Sequence, residues 1–290
     1  MPHGHAHATS WVLPPHRRAQ RAVNRADSSL VMNGMLLLLA LCGWIIGGEA
    51  GVRWAVSGET LPPPPPPAIT PEAMRRQFGA RLLRRSELPA LFDILAVLSR
   101  RAGLPHMPEL YCLPEAGMNA YALGSPDHSA ITLTEGLLRG MTLNEVAGIL
   151  AHEVAHIRND DGAVMTLAAA LHCATALVAG FGPPAAGGPP PNGALAALLR
   201  SAPAIGRLLH LALSRIREFD ADIAALELTG DAYGLMAALD KMEAHHSGVL
   251  TGANGQRRAT PPSFDAVRFL RSHPETWERL RTLESRAQMR

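Results

Sequence analysis

Apolar positions recur at helical spacing through residues 143–158, where Val146, Ile149, Leu150 and Val154 share one side of a 3.6-residue period. Thr142-Leu143-Asn144-Glu145 fits a capping box, so a helix with a defined start is predicted there. Residues 88–103 carry a second amphipathic pattern, which Gly103 and then Pro105 bring to a stop. The period changes to two at residues 119–123 and 130–133. Between them lies the turn-rich Gly124-Ser125-Pro126-Asp127-His128-Ser129, and the unit reads as a β-hairpin.

Elsewhere the pattern gives way to continuous apolar runs. Residues 28–48 contain no charge, and 36–41 are almost purely aliphatic, a length suited to a transmembrane helix. Arg17, Arg18, Arg21 and Arg25 upstream would also suit a signal peptide. The run is long for one, however, and no convincing small-residue cleavage site follows, so a retained anchor is expected. Residues 50–61 are too short and too charged for a clear second span. The six prolines 62–67 form a stiff extended spacer. Two further apolar stretches, 163–181 and 194–213, flank a Gly/Pro-rich loop at 180–193, and the second carries Arg200, Pro203, Arg207 and His210.

Composition narrows the class. The 290 residues are 47% hydrophobic and 18% charged, which is apolar for a soluble enzyme. A net charge of +2 and the lack of any basic–aromatic pattern give no case for nucleic acid. Cys42, Cys112 and Cys173 are odd in number and scattered, so neither a disulfide framework nor a cysteine metal site is expected.

The chemistry is concentrated in His152-Glu153-Val154-Ala155-His156, inside the first predicted helix. Histidines four apart project from one helix face and can reach a single zinc ion. Glu153, about 100° around the helix from His152, is placed as a general base. A catalytic zinc needs a third protein ligand. Glu218 is the best candidate, in Ser214-Arg215-Ile216-Arg217-Glu218-Phe219-Asp220-Ala221-Asp222. Asp222, one turn further on, can accept a hydrogen bond from a ligating imidazole and fix its orientation.

These segments resemble the HtpX-type membrane zinc metallopeptidases, gluzincins related to the CAAX prenyl endopeptidases. The resemblance rests on four stretches in order: Asn119-Ala120-Tyr121-Ala122-Leu123-Gly124, the HExxH with Ile157-Arg158-Asn159-Asp160, the 214–222 segment, and Ser272-His273-Pro274 leading to Glu278-Arg279-Leu280. It implies one Zn2+ held by His152, His156 and Glu218, with Glu153 as the catalytic acid/base. It further implies an extended polypeptide substrate laid on the strand of Asn119, Ala120 and Tyr121. His273 would steady the oxyanion, and Arg279 would support the site.

The expected fold is α+β and mainly helical, a zincin-type metallopeptidase domain with a small β-sheet and membrane-associated apolar helices. The expected organisation is a disordered basic tail (1–27, with His3, His5 and His7), an anchor (28–61), the proline spacer (62–70), and the peptidase domain (71–290) with an apolar hairpin inserted at 162–213. Since His156 and Glu218 must meet, both stretches of the hairpin cross the bilayer or neither does. A shallow hairpin, or one packed on the catalytic domain, stays open.

Arg158, Arg215 and Arg217 place the catalytic side in the cytoplasm by the positive-inside rule. The N-terminal arginines ask for the same side, which requires the first apolar segment to turn back, with Gly47-Gly48 as the candidate point. The expected function is a membrane-anchored zinc endopeptidase of the inner or plasma membrane, acting on misfolded or membrane proteins. The alternatives are a non-catalytic adaptor that keeps the metal as a staple and a CAAX-type prenyl-protein protease. Oligomeric state is not legible.

Overall fold

The computed structural model describes residues 15–57, 71–180, 193–246 and 276–288. Residues 1–14, the proline run 62–67, residues 181–192 and residues 247–275, with His273 among them, lie outside the described residues.

Helix α1 (Pro15–Val56) begins within the segment expected to be a tail and is interrupted at Gly47 (φ −146°, ψ 24°) and Gly48 (φ 57°, ψ −141°). The chain reverses there. A Cβ on Gly51 would lie 2.0 Å from the Gly43 carbonyl oxygen, so the limb after Gly48 runs back against the limb before it. Only glycine permits that approach, and the positive φ at Gly48 favours glycine too.

Helix α2 (Pro71–Phe78) leads to β1 (Arg81–Leu82) and α3 (Pro89–Ala102), which ends on left-handed Gly103 (φ 73°). Three strands follow, β2 (Glu109–Leu113), β3 (Ala120–Gly124) and β4 (Ser129–Thr134). The predicted hairpin is β3–β4, with Tyr121 opposite Thr132 and a turn closed by reciprocal Ser125–His128 backbone bonds of 3.1 Å. The sheet order is β1-β2-β4-β3, mixed because β2 runs parallel to β4. β3 is therefore an edge strand, and it packs beside α5 (Leu143–Arg158).

Thr134 caps the short α4 (Glu135–Gly140), and Thr142 caps α5. The capping box at α5 is complete: Thr142 accepts from the Glu145 N–H, and Glu145 accepts from the Thr142 N–H at 2.7 Å. A turn of two residues, Asn159 and Asp160, joins α5 to α6 (Asp161–Gly180).

Helix α7 (Gly193–Thr229) merges the second apolar stretch and the 214–222 segment into one rod about 55 Å long. Pro203 lies inside it. Helices α8 (Tyr233–His246) and α9 (Thr276–Gln288) complete the described chain.

Two cores result. Leu95, Leu110, Ile131, Leu133, Leu150 and Leu235 centre the first, formed by the sheet, α3, α5, α8 and the end of α7. Met35, Leu39, Cys42, Leu171 and Leu213 centre the second, among α1, α6 and the part of α7 up to Leu213. Among the described residues two helices, Ala26–Val56 and Asp161–Gly180, are long and apolar enough to cross a membrane. Leu30, Leu37, Trp44, Leu167, Leu177 and Leu208 cover the outside of this bundle and are exposed.

Candidate active site

Helix α5 is buried along most of its length, so its polar residues sit inside protein and need partners. His152 and His156, one turn apart, bring their Nε2 atoms to 3.0 Å. Glu218 arrives from α7, with Oε2 3.4 Å from His152 Nε2 and Oε1 3.6 Å from His156 Nε2. Two ligand atoms at zinc distances of ~2.05 Å in a tetrahedron lie about 3.3 Å apart. The three observed edges bracket that value. The donor set fits a small tetrahedral ion.

The outer nitrogens settle the tautomers. His152 Nδ1 lies 2.9 Å from Asp222 Oδ1, and His156 Nδ1 lies 2.7 Å from Asp161 Oδ2. A carboxylate accepts, so each Nδ1–H donates and each Nε2 of a neutral ring presents a lone pair. Two lone pairs facing at 3.0 Å require a cation or an extra proton between them.

The charge balance agrees. Glu153, Asp161, Glu218 and Asp222 are buried carboxylates, whereas Arg217 and Arg279 are the buried guanidinium groups. Among the described residues the cluster carries two more negative than positive charges, and a divalent ion would neutralise it. Without the ion, protons take that role. Burial pulls the His152 imidazole down, but hydrogen bonds to Asp222 and Glu218 outweigh it and push it up to about 10. Burial likewise opposes the His156 imidazolium, and the bond to Asp161 outweighs it.

Arg279, from α9, clamps Asp222 through two bonds, Nε to Oδ2 at 2.7 Å and Nη2 to Oδ1 at 2.6 Å. Burial works against the Asp222 carboxylate, but the Arg279 charge beside it holds it below its ordinary range. Arg215, next to the site, pairs with Glu278 and helps seat α9.

The structure thus brings together His152, Glu153, His156, Glu218, Asp222 and Arg279. Asn119, Ala120 and Tyr121 lie on or beside β3. The Asn119 N–H donates to Thr134 Oγ1 at 2.9 Å, which ties the start of the edge strand to the α4 cap. Asp161 and Arg217 were not expected at the site. A carboxylate five positions after the second histidine was the available signal for Asp161. Arg217 carried none beyond its charge.

The model of peptidase family M48 matches residues 85–287, more than half of the chain. The chain belongs to peptidase family M48. Within the M48 family, it is 32% identical over 276 residues to a protein named "Protease HtpX homolog" from Paraburkholderia phytofirmans, covering 90% of this chain and 96% of the relative. A protein of the same name from Burkholderia thailandensis is 31% identical over the same shares. The crystal structure of S. mikatae Ste24p aligns with a TM-score of 0.49 and 17% identity, covering 93% of this chain and 66% of that longer one. As an M48 member the chain is a protease, and the family's metal chemistry has a matching three-donor cluster here.

Proposed function

We propose that this chain is a membrane-anchored zinc endopeptidase whose site faces the cytoplasm and which acts on misfolded or membrane proteins. The observation that carries the reading is the geometry of His152, His156 and Glu218, with both imidazoles turned by carboxylates so that their Nε2 lone pairs converge. Two imidazoles and a carboxylate are a donor set that suits zinc. Zinc held there supplies Lewis acidity toward a carbonyl oxygen and lowers the pKa of water toward ~7.

The chain's own residues supply the rest. Glu153 takes the proton from the attacking water and returns it to the leaving amine. Asp222, gripped by Arg279, and Asp161 hold the ligand rings in register. The β3 edge receives an extended peptide by strand addition, through backbone hydrogen bonds that demand no particular side chain. His273 steadies the developing oxyanion, as the family resemblance implies.

Membrane attachment is supported by α1 and α6, whose length and apolar composition suit a crossing. The reversal at Gly47–Gly48 lets α1 turn back, so its N-terminal arginines and Arg158, Arg215 and Arg217 can share one face.

The test is Glu153→Gln in detergent-purified protein. Metal should stay near one equivalent while cleavage of an unfolded substrate falls by about 10²–10⁴-fold, since only the base is removed. Undiminished, chelator-sensitive cleavage by that variant would falsify the assignment. A wild-type protein that holds zinc and cleaves nothing would instead support the adaptor.

A further inference from the structure

Asp161, which turns His156, is itself held by a residue that has so far entered only as a charge. Arg217 sits on α7 immediately before the ligand Glu218, is buried, and forms an ion pair with Asp161 Oδ1. Its Nη2 also donates to the Asn159 carbonyl at 3.2 Å, the C-cap of α5. Asp160, between those two contacts, has φ 51°, left-handed backbone that L-residues rarely adopt. That conformation makes the two-residue turn tight enough for Asp161, the first residue of α6, to reach back to His156 Nδ1. One guanidinium therefore grips both ends of the turn that aims the carboxylate.

Resting on the zinc reading above, we propose that Arg217 is a positioning residue: by fixing Asp161 it orients His156 and sets the site's affinity for metal. The arrangement mirrors the Arg279–Asp222–His152 chain on the other imidazole. Each histidine is then oriented by a carboxylate that is oriented by an arginine. The two chains differ in origin. Arg279 comes from the C-terminal helix, whereas Asp161 and Arg217 stand where the α6–α7 hairpin leaves and rejoins the catalytic core. The seating of the hairpin is thereby coupled to a metal ligand.

The experiment is a double-mutant cycle on the full chain in detergent, read as Zn2+ affinity by competition with a chromophoric chelator. Asp161→Asn and Arg217→Gln should each weaken Zn2+ binding about 10–100-fold, the usual cost of losing an outer-shell partner. The double variant should be no weaker than Asp161→Asn alone, because Arg217 acts through that carboxylate. Arg217→Lys should recover part of the loss.

A folded Arg217→Gln protein that binds Zn2+ like the wild type overturns the proposal. So does a double variant a further tenfold weaker than Asp161→Asn. If Arg217→Gln leaves Asp161 unpaired and fails to fold, Asp161→Asn against the charge-free double variant still decides. A purely structural role would lower thermal stability and leave the affinity of folded protein unchanged. Wild-type protein that takes up no Zn2+ sinks the zinc reading itself, a separate outcome.

Discussion

At the scale of single residues, the site is held by carboxylates that face imidazole Nδ1 atoms, which links metal uptake to protons. In the metal-free protein His152 and His156 both hold protons more tightly than an ordinary imidazole, His152 up to about 10. A raised folded-state value stabilises the metal-free fold fully below about pH 6.5, the ordinary imidazole value, and that stabilisation is lost as pH rises through about 10 for His152. Zinc needs neutral rings, so its binding runs the other way. Zn2+ uptake at pH 7–8 should release protons, and affinity should fall as pH is lowered. Calorimetry in two buffers of different ionisation enthalpy checks this, and an observed heat independent of buffer would sink it.

The three converging side chains, His152, His156 and Glu218, were legible, because HExxH and the later Glu218–Asp222 spacing are local helix patterns. Arg217 was not legible, because its partner lies across a tight turn on another helix, and no periodicity encodes that contact.

At the scale of elements, α5 is the axis of the catalytic half, and Gly148 shows how closely it is packed. A Cβ there would lie 2.6 Å from the Leu235 amide nitrogen and 2.7 Å from its Cα, so α8 rests on bare backbone. Gly148 is one turn before His152, on the same face. Gly148→Val should therefore destabilise the protein by about 1–3 kcal/mol through overpacking. It should also weaken Zn2+ binding by displacing α5. Thermal unfolding with and without added Zn2+ measures both effects, and an unchanged midpoint contradicts this packing.

The capped helix, α3 and the β3–β4 hairpin were readable from period and caps. Strand β2 was not singled out, since Leu110–Leu113 is a short buried run with no alternation. The continuity of α7 was also hidden, because Pro203 and a change from apolar to charged composition look like a boundary. Packing on α1 and α6 carries the helix through both.

At the scale of the molecule, the bundle has a register that sets which ends share a side. Helix α1 runs antiparallel to α7: a Cβ on Gly34 would be 4.0 Å from Leu209, and one on Gly206 would be 3.9 Å from Leu38. The reversal at Gly47–Gly48 is thus level with the start of α7, and Asp27 is level with the stretch of α7 that carries Glu218. Single cysteines at Glu49 and Gly193, in a chain whose three native cysteines are replaced, should react with an impermeant thiol reagent in intact cells. A cysteine at Asp27 should react only after lysis. Labelling of Asp27 but not Glu49 would invert the orientation, and labelling of none of the three would mean that the bundle does not cross. Residue patterns supplied the apolar lengths but not this register, which depends on glycines and side chains meeting between helices far apart in sequence.

The order of the three donor residues along the chain has a consequence for the protein's birth. His152 and His156 leave the ribosome first, Glu218 follows only after the whole hairpin, and Arg279 emerges after all three. A nascent chain that has not yet folded its hairpin back holds two of three donors and no clamp on Asp222. On the zinc reading proposed above, proteolysis would wait until Glu218 and Arg279 have both emerged. Under the proposed action on unfolded chains, that late assembly would keep the protease harmless to the chains made beside it, its own included.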